Sequence, residues 1–293
     1  MGTVHAELLT DGLTFGEGPR WHDGRLWLSD FYAHRVHSVG EAGDLRTEVE
    51  IDDQPSGLGW LPDGRLLVVS MTKRQVLRRE HDGTIVVHGD LSEVAAYHCN
   101  DMHVDDEGRA YVGNFGFDLE GLFHERANGL RTIERRNASL ARVDPDGSVS
   151  VAADDLAFPN GTVVTADRST MIVAETFGRR LTAFTIGAGG SLTDRREWAP
   201  LPGRAPDGIA IDANDHVWVA DASGTTCVLV DEGGDVLHTV EAPEPCFACA
   251  LGGADGRTLF VLTAPSSLAS ELHGRTRASI RVARVEVPGQ GFA

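Results

Sequence analysis

Six times along the chain the same short phrase returns: a small or polar residue, then usually glycine, then alternating apolar residues running into a turn and a second strand-like stretch. The copies begin at Glu17-Gly18-Pro19, Ser56-Gly57-Leu58, Asn100-Asp101-Met102, Asn160-Gly161-Thr162, Asp207-Gly208-Ile209 and Cys249-Ala250-Leu251. In the clearest copies Pro62-Asp63-Gly64 or His22-Asp23-Gly24 supplies a turn before the next apolar run, as a hairpin requires. The second positions, 18, 57, 101, 161, 208 and 250, are separated by 39, 44, 60, 47 and 42 residues. Periods in this range, with about four short strands each, predict an all-β fold, a six-bladed β-propeller.

Six such blades use the whole chain, so a single domain spanning 1–293 is expected, and 41% hydrophobic residues suffice for its core. No charge run or proline-rich linker interrupts it, and Gly187-Ala188-Gly189-Gly190 reads as a hairpin loop. A propeller must close. The alternating stretch Ser279 to Val287 reads as a late strand of the last blade, and Thr3 to Leu9 as the N-terminal strand that completes it and removes the open edge.

A formal net charge of −18 opposes binding to nucleic acid, whose affinity comes largely from lysine and arginine contacts to phosphate. No apolar run approaches the roughly 18 residues that span a bilayer, and residues 1–11 lack a leader-like pattern. The expectation is a soluble, cytoplasmic protein with no membrane or nucleic-acid partner, acting on a small molecule. The four cysteines form no disulfide framework, and the lone Cys246-x-x-Cys249 lacks the second half of a zinc site, so buried or cavity-lining thiols are expected.

Equivalent positions of successive blades are related by rotation about the central channel. The residue before each glycine therefore recurs around one ring: Glu17, Ser56, Asn100, Asn160, Asp207 and Cys249. Singly, such residues also suit strand-end caps. Together they are costly, since two carboxylates about 4 Å apart repel by about 4 kcal/mol at an effective dielectric near 20. A divalent cation removes that cost, and carboxylate and amide oxygens make a hard-cation site of the calcium, magnesium or manganese type. The ring lacks histidine, which argues against a dedicated zinc site.

Phe15-Gly16-Glu17-Gly18-Pro19-Arg20-Trp21, Asn100-Asp101 followed by Asp105-Asp106-Glu107-Gly108-Arg109, Phe158-Pro159-Asn160-Gly161, and Pro206-Asp207-Gly208-Ile209-Ala210-Ile211-Asp212 occur in that order. On these motifs the chain resembles the SMP-30/gluconolactonase/LRE family of six-bladed lactonases. The resemblance implies one divalent cation, calcium first and magnesium, manganese or zinc otherwise, held by Glu17, Asn160 and Asp207. Asn100 would sit beside them and contact substrate or metal-bound water, and Asp207 would also serve as general acid/base, with the cation as Lewis acid at the lactone carbonyl. Rival signatures, G-x-S-x-G, H-E-x-x-H, a Walker loop and G-x-G-x-x-G, do not occur.

The chain departs from the family two residues before Asn100, where His98 stands in place of the arginine usual in the sugar-lactone hydrolases. His98 is kept as a candidate substrate contact or proton shuttle, with Tyr97, Asn114 and Phe115 as further pocket candidates. Phe115 and Phe117 suit a core equally well. Residues 118–137, in the long interval after Asn100, read as an insertion on one face, either a lid or a plain surface excursion. His34, His37, His81 and His88 are expected at the surface, and Trp21, Trp27, Trp60 and Trp218 between blades. Besides lactone hydrolysis, two readings remain open: another reaction at the same metal, such as phosphotriester hydrolysis or secondary-metabolite tailoring, and a non-catalytic NHL-like binding propeller.

Overall fold

The computed structural model describes residues 4–290. Its first blade is the antiparallel meander Gly16–His22, Arg25–Asp30, Arg35–Val39 and Leu45–Glu50. The other innermost strands are Pro55–Trp60, Cys99–Val104, Pro159–Val164, Pro206–Ile211 and Cys246–Gly252, each opening its own sheet. Every innermost strand packs on the next, and Cys246–Gly252 packs on Gly16–His22. The six sheets therefore form a closed ring, a six-bladed β-propeller.

Local chemistry explains the hairpins. Asp23 and Gly24 both take positive φ, 48° and 73°, and link His22 to its partner Arg25 in a two-residue loop whose twist suits the flanking strands. The repeated glycine answers a different need: a Cβ on Gly57 would lie 2.3 Å from the Met102 backbone nitrogen, and one on Gly208 2.7 Å from Ala248 Cα. Neighbouring inner strands approach backbone to backbone there, which only glycine permits without displacement.

Closure differs from the expectation by a few residues. The strand completing the sixth blade is Glu7–Leu13, antiparallel to Ala278–Arg284, with Glu7 opposite Val282 and Leu13 opposite Ala278. Val4–His5 instead adds in parallel to the outer strand Val236–Glu241 of the fifth blade, and Thr3 lies outside the described residues. The N-terminal segment thus bridges two blades, a division that alternation along the sequence does not encode.

The sixth ring position also moves. In five blades the pairing of the first two strands slips directly after the residue preceding the ring, Pro55, Cys99, Pro159, Pro206 and Cys246, and in the first it slips one residue later, after Glu17. The equivalent of Glu17 and Asp207 is therefore Phe247. Cys249 lies two residues on, buried between blades, with its thiol directed to the carbonyls of Gly208 and Trp218 at 3.6 Å. All four cysteines are free and buried.

Tryptophans fill the seams between blades as expected. Trp21 stacks on Phe260 at 5.5 Å, and Trp27 meets Trp60 edge-on at 5.5 Å. Two histidines depart from expectation. His37 and His88 are buried, whereas His34 and His81 are exposed. His37 lies on the third strand of the first blade, paired on both sides, and His88 on the outermost strand of the second; burial lowers the pKa of both, and His37 Nε2 lies 3.9 Å from Asp30.

Because Glu7–Leu13 covers the outer edge of the sixth blade and Leu13 is in the core, removing residues 1–13 should lower the melting temperature by on the order of 10 °C. Calorimetry of the truncated protein checks this; an unchanged transition would contradict closure by this strand.

Candidate active site

One end of the channel opens into a cavity of about 450 Å³. Its floor is the ring itself: Glu17, Ser56, Asn100, Asn160 and Asp207 all line it, and Phe247 completes the circle. These side chains meet because each stands where an inner strand begins, at the point where its regular pairing with the second strand breaks. Closure of the ring, and not local sequence, brings residues nearly 200 positions apart to one place.

The floor is acidic and buried. Glu17 and Asp207 are both buried. Burial, and then repulsion by Asp207 and Asp101, drives the Glu17 carboxyl well above its ordinary range. Burial and the Asp101 charge do the same to Asp207, while a hydrogen bond from Asn160 opposes the shift. Asn160 Nδ2 also lies 3.2 Å from Thr176 Oγ1, whose hydroxyl donates to the Pro206 carbonyl at 2.8 Å. Asn100 Nδ2 donates to the Pro159 carbonyl at 3.1 Å, and its Oδ1 is buried without a hydrogen-bond partner. Gly113 leaves room for that oxygen, which lies 2.5 Å from where a Cβ would stand.

Asp101 was not singled out for the site by its sequence position. It stands where most blades have glycine, is buried, and lines the cavity beside Asn100. Its Oδ1 accepts from Arg20, which reaches across from the first blade at 2.8 Å, and from the Met102 amide at 2.8 Å. The signal was an acid in a glycine slot of the repeat.

A second polar ring holds the first. In the blades of Glu17, Asn160 and Asp207, the second strand ends in a buried carboxylate, Asp30, Glu175 and Asp221 respectively. Each grips backbone amides just upstream of the floor residue: Asp30 accepts from Thr14 and Phe15, Glu175 from Ala157, and Asp221 from Ala205, at 2.7–3.0 Å. Burial works against the charge of Glu175, but Arg180, Thr182 and the Ala157 amide outweigh it and hold its carboxyl below the ordinary range.

The wall candidates divide. Tyr97, His98 and Phe115 line the cavity. Tyr97 stacks on His98 at 4.2 Å, and burial pushes the Tyr97 hydroxyl up to about 12 and lowers the His98 imidazole, which favours neutral histidine. Asn114 does not reach the cavity: its amide is spent on the Ser139 carbonyl at 2.7 Å and the Gly116 amide at 3.0 Å, as the corresponding strand-end residue of the third blade. Phe117 is buried with Leu122 and Phe158 beneath the insertion. Residues Leu119–Ala127 of that insertion form a helix, capped by Asp118 through the Gly121 amide, and its Leu119, Glu120 and Phe123 border the cavity.

All donors on the floor are oxygens. Among the described residues no group of three or more histidine, cysteine or acid side chains has the arrangement of a metal cluster. Carboxylates together with amide oxygens, including one left without a donor, nevertheless suit a hard cation.

Fold and floor together define a class: a six-bladed propeller with a buried acid and amide ring at one mouth of its channel. The SMP-30/Gluconolactonase/LRE-like family model matches residues 15–265, and the chain belongs to that family. It is 29% identical to pentonolactonase XacC of Haloferax volcanii over 85% of this chain and 81% of that protein. It is 26% identical to 6-deoxy-6-sulfogluconolactonase of Pseudomonas putida over 94% and 92%. A luciferin-regenerating enzyme structure superposes with a TM-score of 0.78 at 22% identity, covering 95% of this chain and 94% of the other, a likeness of fold.

Glu175 supplies a pH test. A carboxyl depressed in the folded state contributes stability above the ordinary carboxylate range and loses it as pH falls through the depressed value. Glu175→Gln should cost roughly 2 kcal/mol near neutral pH, and the gap to the parent should narrow below about pH 4. Denaturant midpoints across pH measure both; a pH-independent gap would contradict the assignment.

Proposed function

We propose that the protein is a divalent-metal-dependent hydrolase that opens a lactone. The observation that carries this is the burial of two mutually repelling carboxyls, Glu17 and Asp207, beside amide oxygens on the floor of a single cavity. Retaining such a pair without a cation costs stability with no structural return. Two relatives are lactonases by name, which supports a cyclic ester as the substrate class.

Glu17, Asn160 and Asp207 would hold the cation, calcium being favoured by the all-oxygen set. When bound, it would supply Lewis acidity and offset the negative charge that develops on an acyl oxygen. The chain's own residues carry the proton. Asp207, as the ionised carboxylate, would accept a proton from the attacking water as the new C–O bond forms. It would return that proton to the ring oxygen as the ester C–O bond breaks. Asn160, hydrogen-bonded to Asp207 and anchored at Thr176, orients the carboxylate. Asn100 and neutral His98 would contact the substrate from the third blade, and no covalent nucleophile is required.

Metal-stripped protein should be inactive on a panel of lactones and recover on adding calcium, with magnesium, manganese and zinc as comparisons. Asp207→Ala should lose metal binding and roughly 10³-fold in turnover; retention of both would sink the assignment.

The raised carboxyls set a second expectation. In the metal-free folded state they stay protonated where the unfolded chain has ionised, so they cost stability as pH rises from the ordinary carboxylate range toward their raised values. Cation binding expels those protons. The rise in melting temperature on adding saturating calcium should be larger near about pH 8 than near about pH 5; equal rises would argue against calcium at these residues.

A further inference from the structure

Aromatic residues make up only 6% of the chain, yet seven of its eleven phenylalanines and two of its three tyrosines line this one cavity. They are not scattered. Phe15, Phe31, Tyr32 and Phe247 form a cluster from the first and sixth blades, with ring centroids 4.8–6.2 Å from Phe15. Phe115, Phe158 and Phe177 form another from the third and fourth blades: Phe115 lies parallel to Phe158 at 4.6 Å, and Phe177 meets Phe158 edge-on at 5.2 Å. In a six-bladed ring the third and fourth blades stand opposite the sixth and first. The two clusters are therefore facing walls.

The sides between these walls include the smaller or flexible Ser56 and Met71 of the second blade and Ala205 and Ala222 of the fifth, with Tyr97 and His98 between the second and third blades. The cavity is thus a slot with aromatic long sides. Several hydroxyls above the floor are already committed: Tyr32 donates to the Ser267 carbonyl at 2.7 Å, Ser223 to Asp221 at 2.7 Å, and Thr176 to the Pro206 carbonyl, while Gln54, His98 and Arg179 also border the cavity. Tyr32, Tyr97, Phe115 and Phe177 stay partly exposed. Phe158 holds its wall position with φ at 67°, a left-handed conformation that a side chain adopts only at a cost.

From this geometry we infer that the site takes a lactone bearing a flat aryl group, sandwiched between the two walls, in preference to a polyhydroxylated sugar lactone. The inference rests on the hydrolase reading for the reaction, but the walls act on binding alone. Aryl faces pack on aryl faces with offset or edge contacts. Hydroxyls pressed against phenyl walls lose their water without regaining a partner, and each costs roughly tenfold in affinity.

The test separates binding from reaction. Titration calorimetry on the metal-loaded protein would compare chroman and 1,5-anhydroglucitol, the ring-ether counterparts of dihydrocoumarin and gluconolactone, and hydrolysis of the two lactones would be followed in parallel. Chroman should bind at least roughly tenfold tighter. Phe115→Ala should erase most of that preference, Phe115→Leu, which keeps more of the side-chain volume, should erase less, and anhydroglucitol should respond little to either. Anhydroglucitol binding as tightly as chroman, or Phe115→Ala leaving the preference intact, would overturn the inference. Should gluconolactone be hydrolysed and its ether bind more tightly, the substrate class fails while the hydrolase reading survives. Should chroman bind as expected while neither lactone is opened under any metal, the hydrolase reading fails and the aryl slot stands.

Discussion

Carboxyl groups held out of water and close together on the propeller axis are the constraint on which the rest depends. Glu17 and Asp207 sit at the starts of two inner strands, and Asp101 adds a third carboxyl beside them. Opposing the repulsion between them are the Arg20 guanidinium on Asp101, the backbone amides at Gly18 and Met102, and the amide of Asn160 on Asp207. A core built only for stability would place apolar groups there. The floor is instead arranged so that a further positive charge improves it, which is the physical basis for the proposed cation.

Such a floor needs stiff support, because side chains under repulsion move apart if their backbones can. The carboxylates Asp30, Glu175 and Asp221 provide it by binding the amides immediately upstream of Glu17, Asn160 and Asp207. The repeat therefore carries two polar layers. One faces the cavity and the other ties down the segments that present it, so that the strength of the outer layer sets the precision of the inner one.

Much of this was legible in the chain. The glycine after most of the ring residues, the Asp23-Gly24 turn and the apolar alternation encode hairpins through φ/ψ preference and period, which are local properties. The sixth copy was misplaced by two residues because Cys246-Phe247-Ala248-Cys249 has alanine where glycine marks most of the other blades, and only strand register shows Phe247 at the ring. Asn114 looked like a pocket residue from its neighbours in sequence, yet its hydrogen bonds belong to the strand-end layer. The N-terminal strand was expected about four residues too early, since alternation continues through both Val4–His5 and Glu7–Leu13 while the two serve different blades.

By itself the sequence determined the blade count, the hairpin units and the acid and amide residues that begin the inner strands, because each follows from short-range steric and hydrogen-bonding preference repeated at a period. Tertiary structure alone decided which of these meet. Ring closure sets the third and fourth blades against the sixth and first, turning phenylalanines scattered between positions 15 and 247 into two facing walls and putting Asp101 beside Glu17 and Asp207. No local preference encodes which residues face each other across an axis, since that depends on how many blades lie between them.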